Sequence, residues 1–135
     1  MVTAKSVATN YTTEIIGGAG KVISDVPAIK GGTGEGMRPF EMLLGGFAAC
    51  FNITLRMLMD KKGIRYRSVE VSVSEDREIK PGTMQISYKA NIDADIEEAE
   101  KQDLINKAFA KCPVHNALSG NIEFEEGIDI SDNKF

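Results

Sequence analysis

Two sulfur atoms offer the clearest chemistry in this chain. Cys50 closes the run Pro39-Phe-Glu-Met-Leu-Leu-Gly-Gly-Phe-Ala-Ala-Cys50, and the only other cysteine opens Cys112-Pro-Val-His-Asn-Ala-Leu118. A thiolate can attack an electrophile, and a second thiol can resolve the product as a disulfide. With no other catalytic set in view, the pair suggests a two-thiol redox device. The inert alternative is also open: free cysteine is among the most buried residue types, and an apolar setting raises its pKa and lowers its reactivity.

For Cys50 to react, a positive group or donor has to overcome that desolvation. Arg38, just before the helix, and Glu41, in its first turn, are the candidates in sequence. An arginine can stabilise a thiolate and hydrogen-bond a peroxide oxygen, while a carboxylate holds the guanidinium in place. Cys50 lies roughly 13 Å along the axis from Glu41 at 1.5 Å per residue, so coupling requires long side chains or a partner subunit. The bland readings are a solvated charge for Arg38 and a helix-dipole partner for Glu41.

Cys112 stands before Pro113 at a helix start, where free N–H groups and the dipole are expected to lower a thiol pKa. An ordinary buried cysteine at a helix junction is the alternative. His115 is the only histidine. With Cys112 and Cys50 it makes three zinc-type ligands without a nameable fourth, so a packed or surface histidine is the better reading. The segment Gly31-Gly-Thr-Gly-Glu-Gly36 lacks the Gly-Lys-Ser/Thr ending of a phosphate loop and the full dinucleotide glycine pattern, and reads as a flexible hinge. Phe47, Phe51, Met57 and Met59 read as core rather than a cofactor box.

The elements that position these residues follow from pattern. Residues 8–16 are rich in β-formers, and Gly17-Gly18 to Gly20 turns the chain into a strand at Lys21–Ser24; a third short strand is expected over Val26–Lys30. Pro39 suits the first turn of a helix. From Phe40 to Met59 apolar residues follow the 3.6-residue period on one side, and Met42, Ala49, Ile53 and Met57 fill the other, so the helix is expected to be buried all round. Gly45-Gly46 costs roughly 1 kcal/mol per glycine relative to alanine, for which close approach of another backbone is the expected compensation. Lys61-Lys62-Gly63 ends the helix.

Ser68–Ser74 alternates as a half-buried strand, Lys80–Thr83 turns, and Met84–Ile92 returns. Asp95 is expected to cap a helix over 96–111. Cys112-Pro113 breaks it and starts a third, closed by Gly120, and Ile122–Ile130 gives a last strand. The order βββ-α-ββ-αα-β is an α+β fold with antiparallel sheet around one buried helix, read as a single domain over residues 1–135. A monomer of this size has difficulty covering such a helix, so a homodimer enclosing both central helices is expected.

The 135 residues are 42% hydrophobic and 27% charged, ordinary for a soluble globular protein. A formal charge of −4 and the absence of a basic stripe argue against nucleic acid as a partner. The start lacks the apolar core of a signal peptide, and the longest apolar run, Met42–Phe51, falls short of the roughly 18 residues of a membrane span. A soluble, cytoplasmic protein follows, in which a disulfide would be transient.

At Pro39–Cys50 and Cys112–His115, with their separation and the β-rich start, the chain resembles the OsmC/Ohr family of osmotically induced and organic-hydroperoxide-resistance proteins, and more closely its broader OsmC-like branch. The resemblance implies an intertwined homodimer and a cofactor-free, two-cysteine peroxidase. Cys50 would be the peroxidatic thiolate acting on an organic hydroperoxide. Cys112 would resolve it, and an external dithiol, such as one of the lipoyl type, would reset the disulfide. Arg38 and Glu41 are the residues placed to assist. The hydroperoxide-resistance branch carries its arginine in the N-terminal strands, where residues 1–37 here contain none, and its glutamate directly after the proline, where this chain has Phe40. The alternative from another class is a non-catalytic or redox-sensing protein that binds a small apolar ligand between subunits.

Overall fold

A computed structural model describes residues 1–7, 10–76 and 83–126. Contacts gather the chain into two compact units, Met1–Leu43 with Glu123–Phe135, and Leu44–Ile122.

The first unit is an antiparallel meander of β1 (Val2–Ser6), β2 (Thr13–Gly17) and β3 (Gly20–Ser24). Ile15 faces Ala4 on one side and Val22 on the other. The β2–β3 connection is two residues long, and Gly18 takes the positive φ (+49°) that such a tight hairpin favours. β1 was not expected from sequence, because all five of its residues are exposed and carry no alternating apolar signal.

The strand expected over Val26–Lys30 does not form; Ala28–Lys30 wind instead as one 3-10 turn. Two causes are local. Pro27 has no N–H to give a ladder, and the buried Asp25 carboxylate gathers the chain around itself. It accepts hydrogen bonds from Val26 N–H (2.7 Å), Thr12 Oγ (3.0 Å), Thr33 N–H (3.1 Å) and the Thr33 hydroxyl. The Thr33 hydroxyl, the largest influence, and the other donors hold its pKa below the ordinary carboxylate value against the opposing effect of burial. A Cβ on Gly32 would run into Val26 O and the Asp25 carboxylate. The glycine-rich segment is therefore a carboxylate-centred loop, not the hinge its composition predicts. It returns to β3 through Met37, whose N–H reaches Ile23 O at 3.1 Å and whose carbonyl accepts from Asp25 N–H.

Helix α1 covers Pro39–Lys61, beginning at the proline and ending at the lysine-glycine stop as expected. Glu41 accepts the Arg38 N–H at 3.0 Å, so the third helical residue satisfies an otherwise free donor at the helix start. At the other end Gly63 (φ +70°) donates to Asp60 O and Ile64 to Met59 O, the paired bonds of a glycine stop. By length and composition α1 is also apolar enough to cross a bilayer, which the short Met42–Phe51 run concealed.

In the second unit, β4 (Ser68–Asp76) and β5 (Gln85–Asp93) form a nine-pair antiparallel ribbon. Helices α2 (Glu98–Lys111) and α3 (Pro113–Leu118) follow. Phe47, Phe51, Leu55 and Met59, spaced one turn apart on α1, are buried with Ile92, Leu104, Ala108 and Cys112. Half-buried Val69, Val71, Val73, Ile86 and Ala90 from the ribbon pack on this core. Asn52 ties α1 to β4 by donating to Val69 O at 2.8 Å, and Arg56 Nε donates to its oxygen.

The single chain leaves part of α1 uncovered, and one helix cap is corrected. α1 is not buried all round within the chain: Ile53 and Met57 are exposed, as is Leu43 in the first unit. Among the described residues, the helix's own nearby backbone aside, no atom lies within 4 Å of a Cβ placed on Gly45 or Gly46, so no close backbone approach is made to them there. Asp95 does not cap α2. Both it and Asp93 accept from the Arg67 guanidinium, at 3.0 and 2.7 Å, and the cap position falls to Glu97 without a side-chain bond. Most of the expected Lys80–Thr83 turn and the end of the expected last strand, 127–130, lie outside the described residues. Residues 122–126 adopt no regular structure.

Candidate active site

Cys50 sits half-buried on α1, three residues beyond Phe47 and so on a neighbouring part of the same face. Cys112 is fully buried and occupies a junction, ending α2 and opening α3. Pro113 explains the break. Without an N–H it cannot extend α2, yet its fixed φ suits the first position of α3. The Cys112 carbonyl then accepts from Asn116 N–H at 3.0 Å.

Both cysteines are free, and Cys50 packs against the core cluster in which Cys112 is buried. Burial pushes the Cys112 thiol above its ordinary value, and the adjoining Cys50 adds to the rise; the His115 and Val114 backbone N–H groups offset part of it. The lowering expected from a helix start is thus overturned, because desolvation outweighs donors that are nevertheless in place.

Arg38 and Glu41 form a second pair, in the first unit, joined by the backbone bond that closes the start of α1. Both are exposed, and Glu41 serves there as a helix-end acceptor. Among the described residues no group of three or more His, Cys, Asp or Glu side chains is placed to hold a metal ion. His115, weighed above as a zinc ligand, instead packs its ring on Phe109 with centroids 3.7 Å apart.

Beside the sulfurs in sequence is a feature that pattern reading missed. A cleft of about 230 Å³ is lined by Phe47, Ile86, Tyr88, Phe109, His115 and Leu118 with two neighbours. Tyr88 stacks on Phe109 at 4.9 Å and meets Phe47 edge-on at 6.1 Å. A signal was available: a phenylalanine stands three residues before each cysteine, Phe47 before Cys50 and Phe109 before Cys112.

Residues 32–127 match the sequence model of a family described as OsmC-like protein. The chain belongs to the OsmC-like family. Among relatives of this OsmC-like chain, the uncharacterized protein YmaD of Bacillus subtilis is 29% identical over 108 residues, covering 74% of this chain and 72% of that protein. Organic hydroperoxide resistance protein-like 1 of Staphylococcus saprophyticus is 24% identical over 114 residues, covering 82% and 81%. The crystal structure of the OsmC-like protein from Mycoplasma pneumoniae superposes with a TM-score of 0.72 at 24% identity, over 89% of this chain and 86% of that one. The mixed α+β architecture with antiparallel sheets is therefore that of the family.

Proposed function

We propose that this OsmC-like chain is a thiol peroxidase that reduces organic hydroperoxides through Cys50 and Cys112. The observation that carries the reading is that the chain's two cysteines are both free and that Cys50 packs against the core cluster in which Cys112 is buried, close enough to raise its pKa. The name of the Staphylococcus relative supports the substrate class.

In the cycle, the Cys50 thiolate attacks the distal peroxide oxygen. An S–O bond forms, the O–O bond breaks, and the leaving alkoxide takes a proton to become the alcohol. Cys50 is left as a sulfenic acid. The Cys112 sulfur attacks that sulfur, an S–S bond forms, and hydroxide leaves with the Cys112 proton as water. An external dithiol, of the lipoyl type or another, reduces the disulfide and is itself oxidised. No metal or prosthetic group enters. Arg38 is the residue we assign to stabilise the thiolate and the departing oxygen, with Glu41 to orient it. We place the protein in the cytoplasm and assign it a homodimer, supported by the exposed Leu43, Ile53 and Met57 on α1. Sedimentation at micromolar concentration should give a dimer, and a compact monomer would count against it.

Single-turnover reaction of the reduced protein with an alkyl hydroperoxide tests the chemistry. Wild type should consume the peroxide faster than free cysteine, and Cys50→Ser should abolish consumption. If wild type is no faster than free cysteine, the ligand-binding reading, favoured by the apolar cleft and the fully buried Cys112, takes its place.

A further inference from the structure

Asp25 is a buried charge that the reaction scheme leaves unused. It is 2% exposed and lies in the first unit, which also holds Arg38. A carboxylate taken out of water is costly unless donors replace its hydration. Here Oδ1 accepts from Val26 N–H, and Oδ2 accepts from the Thr12 hydroxyl and from both the N–H and the hydroxyl of Thr33. Thr12 immediately precedes β2 and Thr33 lies in the glycine-rich segment, so the carboxylate ties that segment to the sheet.

The same segment is seated a second time where it ends. A Cβ on Gly36 would stand 2.8 Å from the Ser24 carbonyl carbon and 2.9 Å from Asp25 N, so only glycine passes β3 this closely. Met37 then makes three bonds to β3 and its end. Its N–H donates to Ile23 O (3.1 Å), and its carbonyl accepts from Asp25 N–H (3.1 Å) and the Ser24 hydroxyl (2.8 Å). Arg38 comes next. Its N–H donates to Glu41 and its carbonyl accepts from Met42 N–H, each at 3.0 Å. The Arg38 backbone is thus held from behind by Met37 and from ahead by the first turn of α1.

Resting on the peroxidase reading above, in which Arg38 stabilises the thiolate and the departing oxygen, we infer that Asp25 is a positioning residue for Arg38. Its side chain fixes Thr33 and its N–H fixes Met37, which sets the backbone point from which the guanidinium acts. Electrostatic stabilisation depends on donors held in place beforehand. A group at a loop boundary is placed less precisely than one inside a regular element, and the carboxylate supplies that order.

Thr33→Val removes the hydroxyl that donates to Asp25 and keeps the side-chain shape, whereas Thr33→Ser keeps the hydroxyl. In single-turnover reaction of the full-length reduced protein with an alkyl hydroperoxide, Thr33→Val and Asp25→Asn should slow the first step about tenfold or more, since a misplacement of about 1 Å can cost about 100-fold. Thr33→Ser should react like wild type. In the Arg38→Ala background the same substitutions should slow the step no further, because the residue they position is gone. Thr33→Val serves alone if Asp25→Asn does not fold. Equal losses with and without Arg38, or no loss in Thr33→Val, overturn the inference, as does an Arg38→Ala variant as fast as wild type. The amide resonances of Met37 and Arg38 give a readout apart from turnover. They should move in Thr33→Val and stay in place in Thr33→Ser, and unmoved amides in Thr33→Val overturn the inference whatever the rates. Amides that move as expected in a protein that reduces no hydroperoxide overturn the peroxidase reading and leave the hold of Asp25 on Arg38 standing.

Discussion

Cys50 packs from α1 against the core cluster in which Cys112 lies, and Cys112 occupies the junction that ends α2 and opens α3. The two thiols are therefore unequal before any oxidant arrives. One is fully buried at a helix junction; the other is half-buried on a long helix.

That inequality predicts different products from the two serine variants. After one equivalent of alkyl hydroperoxide, wild type should show an intramolecular Cys50–Cys112 link by mass spectrometry, reversed by dithiothreitol. Cys112→Ser should complete the first turnover and then hold Cys50 as a sulfenic acid that a dimedone-type probe labels, with overoxidation following. Loss of the first step in Cys112→Ser, with its retention in Cys50→Ser, would reverse the assignment.

The raised Cys112 thiol makes stability depend on alkaline pH. In the folded state it keeps its proton at pH values where the unfolded chain has lost it. The resulting stabilisation is complete below the unfolded thiol pKa of about 8.5 and is lost as pH rises through the higher folded value. Urea midpoints of the reduced protein should therefore fall from pH 8 to pH 10, and fall less in Cys112→Ala. Parallel pH profiles for the two proteins would refute the linkage.

Arg38 and Glu41 can be separated by what each contributes to the start of α1. Glu41→Ala removes the acceptor of the Arg38 N–H and should cost about 0.5–2 kcal/mol of stability, whereas Glu41→Gln should retain most of it. Arg38→Ala leaves the backbone bond intact. It should slow peroxide reduction about 30- to 1,000-fold if its guanidinium stabilises the reacting oxygen, a charged donor being worth about 2–4 kcal/mol there. Stopped-flow rates beside denaturation curves distinguish the two roles.

Asp25 should organise the glycine-rich segment through its charge. Its lowered pKa means the contribution is present above the unfolded value of about 3.9 and is lost as pH falls through the folded one. Asp25→Asn replaces an acceptor with an amide facing four donors and should lower the melting temperature at pH 7. Amides of residues 31–36 should then exchange faster with deuterium, and unchanged exchange would show that the loop holds itself.

Regular elements were legible where side-chain period and backbone chemistry agreed. The 3.6-residue recurrence of Phe40, Leu43, Leu44, Phe47, Phe51, Leu55 and Leu58 identified α1, the alternation of Val69, Val71 and Val73 identified β4, and Pro113 located the α2–α3 break. Misreadings arose where a side chain far along the sequence competed with local preference. Asp95 has the composition of a helix cap, but Arg67, 28 residues earlier, holds it together with Asp93. Gly31–Gly36 has the composition of a flexible hinge, but Asp25, itself held by the Thr12 hydroxyl, binds Thr33 within it from outside the segment. The sulfur pair was visible as chemistry and not as geometry. The sign of the Cys112 shift depends on how dry its surroundings are, which no local pattern encodes.

The Val114 and His115 amides have a use beyond holding a sulfur. The sulfur beside them is the atom whose bonding changes when the pair oxidises: it gives up its proton and binds Cys50, which alters what the two N–H groups meet. These two N–H groups are thus built-in reporters of oxidation state. Their proton resonances, followed in a titration with oxidant, would read the fraction of closed pairs in solution without any label on the sulfurs themselves.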